Sequence, residues 1–388
     1  MKTITLICPA RDNKKYLQWS YASVRKHCSP DVEYLVAVDS SIDGTEEWCE
    51  ETSKKDKHFK FIVNHSSRMG HTNLYDQLIS LATTEVVMVW HCDMIATPNM
   101  DKKILQKIKK GQVISLTRIE PPLHPPDNSK IQADIGTEPE NFKEEYFLSL
   151  VKELEKKHKG ETSEGIFAPW AIFKEDFQAI NGHDSLFAPQ SKEDSDIFNR
   201  FILNGYDIIQ LRDVLVGHLT CRGSRFNPNL TEVGTPSDEW LQQNHKSERN
   251  FIRKWGTMVR VDSDMKPYIP HKYNIRFQIS GVMDSQELYD IEPYADQIVY
   301  CLADRGDVEY DWDWDVQVAF NFNKLKDMSF LSRLPDIIEN TNDIGTFQYD
   351  IFTVSIRSLE PREQDLIWND TPKQTIADNF FGHKKGES

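Results

Sequence analysis

The sequence predicts an open α/β domain built on a mainly parallel sheet, with a smaller α+β domain after it. Three observations predict this. Val-rich apolar runs of strand length recur through the first hundred residues, as at Glu33–Val38 and Glu85–Trp90. Bounded by polar segments, such runs read as strands buried on both faces. Stretches of helical length separate them, and alternation at this spacing implies parallel pairing with right-handed crossovers. After about Met258 the alternation gives way to a different order of elements.

Strand Thr3–Cys8 opens the chain and leads into a helix around Tyr16–His27. Strand Glu33–Val38 leads into a helix over Thr45–Lys55. There Asp43-Gly44-Thr45 supplies a turn and an N-cap, and Glu46 and Glu47 suit the first turn. A short strand at Phe59–Asn64, a helix around Thr72–Ala82 and strand Glu85–Trp90 follow. Pro121-Pro122-Leu123-His124-Pro125-Pro126 breaks regular structure and marks a loop. Glu140–Lys159 reads as an amphipathic helix and Ile166–Phe173 as a strand. A helix around Ser195–Leu203 is closed by Asn204-Gly205, and Asp238–Trp255 is helical. The first domain is therefore expected over residues 1–257 and the second over 258–388. Strand-like runs at Asn274–Ser280, Gln297–Leu302, Val316–Asn323 and Phe347–Ile356, with helical stretches near Ser285–Tyr294 and Lys324–Ile338, give an order that fits a ferredoxin-like split βαβ.

The 388 residues suffice for one large domain and a smaller one, and 39% hydrophobic with 28% charged residues is ordinary globular composition. A net charge of −15 argues against a nucleic-acid partner, which needs clustered Lys and Arg. No run approaches the roughly 20 apolar residues of a membrane span. The first residues read as a strand, not a signal peptide. Cys8, Cys28, Cys49, Cys92, Cys221 and Cys301 are scattered with no CxxC pair, so a zinc site is not suggested and a reducing cytoplasm is expected.

Asp39 and Asp93 each close an apolar run. In an open α/β sheet, ligands lie outside the carboxyl ends of the strands. Two carboxylates delivered there suggest a nucleotide held through a divalent cation.

Several segments, in order, resemble family-2 glycosyltransferases of the GT-A fold. They are Ile7-Cys8-Pro9-Ala10-Arg11-Asp12-Asn13, Val38-Asp39-Ser40-Ser41-Ile42-Asp43-Gly44-Thr45, Met69-Gly70-His71-Thr72-Asn73, His91-Cys92-Asp93, Gly182-His183-Asp184 with Glu193-Asp194, and Phe251-Ile252-Arg253-Lys254-Trp255-Gly256. The likeness covers roughly residues 1–256. It implies a nucleotide-diphospho-sugar transferase domain of Rossmann-like type, a hexosyltransferase-like activity, a nucleotide-sugar donor (UDP favoured), a glycan or other hydroxyl acceptor, and Mn²⁺ or Mg²⁺.

The resemblance assigns Asp93 to the metal, with His218 completing its shell. His91 replaces the first Asp of the family's D-x-D, either donating to the ribose, binding the ion, or packing beside Trp90. Pro9, Ala10, Arg11, Asp39, Arg68, Asn73, His91 and Cys92 would line the donor pocket. Arg222 and Arg225 would clamp the diphosphate from a Gly/Pro-rich loop. Asp194 would be the general base of an inverting displacement, with Glu193 orienting the acceptor. Gly182, His183 and Asp184 would meet the acceptor, and Trp170 could stack on a sugar or belong to the core. Blander roles compete: Asp93 as a cap for the Met94–Lys103 region, and the acids at 193–196 as first-turn charges. The acidic, Trp-bearing stretch Asp307–Asp315 reads as a solvated hairpin or a carbohydrate platform. Two other readings stay open. A nucleotidyltransferase of this fold normally carries a Gly-rich phosphate loop, which Ala10-Arg11-Asp12-Asn13 lacks. A non-catalytic sugar-nucleotide or glycan-binding protein would tolerate the altered His91-Cys92-Asp93. A retaining outcome is also open.

Overall fold

The computed structural model describes residues 3–220, 236–270, 274–280, 292–294, 297–300 and 351–357. The chain divides into two units. One comprises Met1–Ser247 with Val261–Tyr268, the other Glu248–Arg260 with Ile269–Ser388. The division thus falls inside the helix Asp238–Trp255, ahead of the expected boundary at 257.

The first unit runs β1 (Ile4–Ala10), α1 (Lys14–His27), β2 (Glu33–Asp39), α2 (Thr45–Lys55), β3 (Phe59–Asn64), α3 (Gly70–Leu81) and β4 (Val86–Val89). It continues with β5 (Met94–Ile95), α4 (Met100–Lys107), β6 (Gln112–Glu120), β7 (Lys130–Gln132), α5 (Glu144–Lys157), β8 (Thr162–Ser163), β9 (Trp170–Phe173), α6 (Lys174–Ala179), α7 (Glu193–Leu203) and β10 (Asp207–His218), before α8 (Asp238–Trp255). The sheet order is β3-β2-β1-β4-β9-β6-β10-β5, with β7 beside β6 and β8 beside β10. The strands β3, β2, β1 and β4 pair in parallel, as the alternation predicts. β9 enters antiparallel between β4 and β6.

Every residue of β1 and β2 is buried, because helices cover both faces of the sheet. The chain leaves β1 toward β2 on one side and returns to β4 on the other. The carboxyl ends of β1 and β4 therefore flank a topological switch point, where open α/β sheets bind ligands.

Two differences from the expected elements have clear causes. β6 was not foreseen, because its second half, Ser115-Leu116-Thr117-Arg118-Ile119-Glu120, lacks the apolar run that marks a central strand. Ser115, Thr117, Arg118 and Glu120 are nevertheless buried, each with a polar partner. The strand expected from Ile166 begins at Trp170, after Pro169, whose carbonyl accepts from the Leu116 amide.

In the second unit, β11 (Asn274–Ser280) lies between β12 (Gln297–Tyr300) and β13 (Ile351–Arg357), parallel to both. A split βαβ would place an antiparallel strand between parallel partners, so these three strands do not follow the ferredoxin-like pattern. The expected strand at 316–323, the helix at 324–338 and the Asp307–Asp315 stretch lie outside the described residues.

Candidate active site

Asp93 reaches its place through a tight exit from β4. The Trp90 amide donates to the Ile7 carbonyl (3.0 Å) and its indole Nε1 to Ser20 Oγ (2.8 Å), so the strand end is held by β1 beside it and by α1 packed on one face. Cys92 then turns inward, its Sγ 3.5 Å from that of Cys8 and 3.4 Å from the Pro9 carbonyl. Its thiol is thereby withdrawn from the donor pocket assigned to it. The Leu219 amide donates to the Asp93 carbonyl (3.1 Å), and His218 pairs with Met94 across β10 and β5. These backbone bonds bring Asp93 and His218 together from residues far apart in sequence.

His91, Asp93 and His218 each offer a ligand atom, and these atoms lie within 4.8 Å of one another. Among the described residues this is the group suited to a metal ion. His218 Nε2 stands 3.4 Å from Asp93 Oδ1, and its Nδ1 is 2.7 Å from Glu120 Oε1. Burial pulls the His218 ring down, but Asp93 and Glu120 more than offset this and lift its pKa to about 9. Burial likewise opposes ionisation of Asp93, and the His218 charge overcomes it, holding the carboxyl below its ordinary range. Burial pushes His91 down to about 3, so its ring is neutral and its lone pair is available. The His71 ring lies 6.5 Å from that of His91, and it too is pushed down, to about 4, chiefly by burial and then by Arg68.

Glu120 is a site residue that sequence reading missed. It sits at the end of β6 and is 2% exposed. Burial raises its carboxyl, but His218, Arg118 and Lys130 pull it down to about 2. Arg118 approaches Glu120 at 3.3 Å, donates to Ser129 Oγ at 3.0 Å and stacks over Phe167, 4.1 Å from the ring centre. The "Arg-Ile-Glu" ending of a strand that looked polar was its only trace in the sequence.

The second group of acids opens α7. Glu193 is buried, its Oε2 has no hydrogen-bond partner among the described residues, and burial followed by the Asp194 charge pushes it up to about 8. Asp194 is half-buried. Burial raises its carboxyl too, while His183 and Arg118 pull the other way. Asp196 forms an ion pair with Arg200 one turn on, at 2.8 Å, and is structural.

The Gly182-His183-Asp184 segment packs otherwise than expected. Gly182 has φ +64°, and a Cβ there would come 2.4 Å from Asp76 Oδ2. Asp76 accepts from the His183 amide (3.0 Å) and lies 2.7 Å from its Nδ1. The His183 side chain is fully enclosed beside Tyr75, Phe177 and Trp170. It therefore shapes the loop and does not present itself to an acceptor. Asp184 caps the short turn at Ser185–Phe187 by accepting from the Leu186 amide. Trp170 is also fully buried, ringed by Phe177, Phe198 and Phe201. An indole with no exposed face has none to offer a sugar, so the core reading of Trp170 replaces the stacking one.

Pro9 and Ala10 end β1 at the switch point. Arg11 and Arg68 both approach Glu239 Oε1, at 3.9 and 3.0 Å. Asp39 is buried and accepts from Asn64 Nδ2 (2.7 Å), the Met69 amide (3.0 Å) and the Gly70 amide (2.8 Å), which ties β2 to the start of α3. Asn73 lies on the first turn of α3, half-buried. Arg222 and Arg225 lie outside the described residues.

A sequence model described as "Glycosyl transferase family 2" matches residues 5–177. No curated protein matches the chain by sequence. Among solved structures, the chain is similar to GalNAc-T7 with UDP, GalNAc and Mn²⁺ (15% identity, TM-score 0.43, 56% of this chain and 44% of that one). It is similar also to the mannosyltransferase PcManGT from Pyrobaculum calidifontis in complex with GDP-Man and Mn²⁺ (13%, TM-score 0.40, 65% and 70%). A third is S. aureus TarS 1–349 in complex with UDP (13%, TM-score 0.42, 65% and 72%). The chain thus spans less than half the length of the first of these. Residues 5–177, which carry the parallel β3-β2-β1-β4 arrangement and the acid delivered at its switch point, thus match the family 2 glycosyltransferase model, and over that stretch the chain is similar to that family.

Proposed function

We propose that the protein transfers a sugar from a nucleotide-sugar donor, with UDP favoured, to an acceptor hydroxyl, with inversion at the anomeric carbon. The single observation carrying this reading is the convergence of His91, Asp93 and His218 at the switch point of the sheet. Two imidazoles and a carboxylate make a donor set that fits a divalent transition ion, and the imidazoles favour Mn²⁺ over Mg²⁺. When bound, such an ion stabilises the charge developing on the diphosphate leaving group.

The chain's own residues account for the remainder. Asp93, buried and with its carboxyl held below the ordinary range, would hold the ion together with His91 and His218. Pro9, Ala10 and the start of α3 border the nucleotide pocket, with Arg11, Arg68 and Asn73 beside it. Glu193 and Asp194 form an unequal pair of the kind that separates acid and base roles. Glu193, protonated near neutral pH, donates a hydrogen bond to the acceptor. Burial raises the Asp194 carboxyl, with His183 and Arg118 opposing the rise, and a carboxylate of raised basicity takes the proton of the attacking hydroxyl. The acceptor is a glycan or another hydroxyl-bearing molecule.

The test is release of UDP from a panel of UDP-sugars, with saccharide acceptors offered, in Mn²⁺ and in EDTA. Transfer is expected only with the metal, with the product anomer inverted by NMR. Asp194→Asn should lower kcat by roughly 10²- to 10⁴-fold while UDP affinity in Mn²⁺ is kept. Undiminished turnover in that variant removes the base assignment.

A further inference from the structure

We propose that Glu120 is a positioning residue that decides which nitrogen of His218 is offered to a cation; this rests on the metal-dependent reading above. Imidazole can ligate through either nitrogen, and the hydrogen bond made by one selects the other. Here Nδ1 is committed to Glu120 Oε1 at 2.7 Å, while Nε2 is the nitrogen beside Asp93, at 3.4 Å.

The backbone builds this contact. β6 and β10 run parallel with Ile119 opposite Gly217, so the next residues, Glu120 and His218, come side by side. That register exists only because β10 bulges between Leu211 and Leu215. Before the bulge, Asp207 pairs with Gln112. Carried forward without the shift, that register would set Leu215 opposite Glu120. The irregularity thus delivers a histidine in place of a leucine.

Glu120 is also kept from acting as a ligand itself. Oε1 is shared with Arg118 at 3.3 Å, and Oε2 meets Lys130 at 3.4 Å. Lys130 is anchored in turn by Asp127 at 3.3 Å, and Arg118 by Ser129 and the Phe167 ring. The result is a carboxylate backing the imidazole, held in place by Arg118 and Lys130.

Mn²⁺ binding, followed by loss of the free-ion EPR signal with and without UDP, tests this. Glu120→Gln is expected to weaken Mn²⁺ by about 10- to 100-fold. Glu120→Asp, which keeps the charge but withdraws it from Nδ1, should also weaken it. In a His218→Ala background, Glu120→Gln should add no further loss, because the residue acts through His218. Melting in EDTA identifies any variant that fails to fold, in which case the Asp variant carries the comparison. Unchanged Mn²⁺ affinity in Glu120→Gln, or the same loss with and without His218, overturns the proposal. Wild-type protein that takes up no Mn²⁺ in either condition overturns the metal reading itself, an outcome distinct from failure of the Glu120 variants.

Discussion

Glu193 and Asp194 are neighbours in sequence, yet their surroundings separate them. The Glu193 carboxyl is enclosed with one oxygen unpartnered among the described residues, and its pKa rises from 4.5 to about 8. A carboxyl held above its unfolded value favours the folded state only while protonated. Its contribution is complete below pH 4.5 and is lost as pH climbs through about 8. Glu193→Gln should therefore stabilise the fold at pH 8.5, by on the order of 5 kcal/mol, and leave its melting temperature unchanged at pH 4. Calorimetry at the two pH values checks this, and an equal gain at both would show that the carboxyl is not protonated in the fold. Activity should change little, since the Gln amide can still donate the hydrogen bond proposed for Glu193. The sequence marked both acids as a pair. Their unequal surroundings come from burial that no local pattern encodes.

At the scale of elements, the start of α3 ties the end of β2 to the segment that precedes α7. Asp39, at the end of β2, accepts from the Met69 and Gly70 amides and so satisfies donors a helix leaves open. Gly70 has φ +79°, and a Cβ there would come 1.9 Å from the Pro189 carbonyl. Gly111 has nearly the same φ, +77°, with nothing within 4 Å. Gly70→Ala should cost about 3 kcal/mol or more in urea unfolding, against about 1 kcal/mol for Gly111→Ala. Similar losses in both would mean that conformation alone, and not the contact with Pro189, requires the glycine. The Asp39 carboxylate is legible in the sequence as the end of an apolar run. That its hydrogen bonds go to the helix beside it is a tertiary fact.

For the molecule as a whole, a ligand that binds only the folded chain raises its stability by mass action. UDP with Mn²⁺ at about a hundred times its dissociation constant should add about 2.7 kcal/mol, seen as a rise in melting temperature. EDTA should remove the metal-dependent part, and so should Asp93→Ala. A shift of equal size in that variant would place the ion elsewhere.

The sequence by itself determined the alternating order from β1 to β4, the helices around it, and the acids Asp39, Asp93, Glu193 and Asp194. Periodicity, apolar runs and short motifs are local, and those elements are buried simply enough to display them. Only the tertiary structure decided that His91, Asp93 and His218 share one point, that Glu120 stands behind them, and that Trp170 and His183 are enclosed. These depend on strand register, on one bulge in β10 and on polar residues whose partners lie far away along the chain. A buried polar residue looks like a surface one until its partner is in place, because its burial is stabilised by contacts that no short stretch of sequence contains.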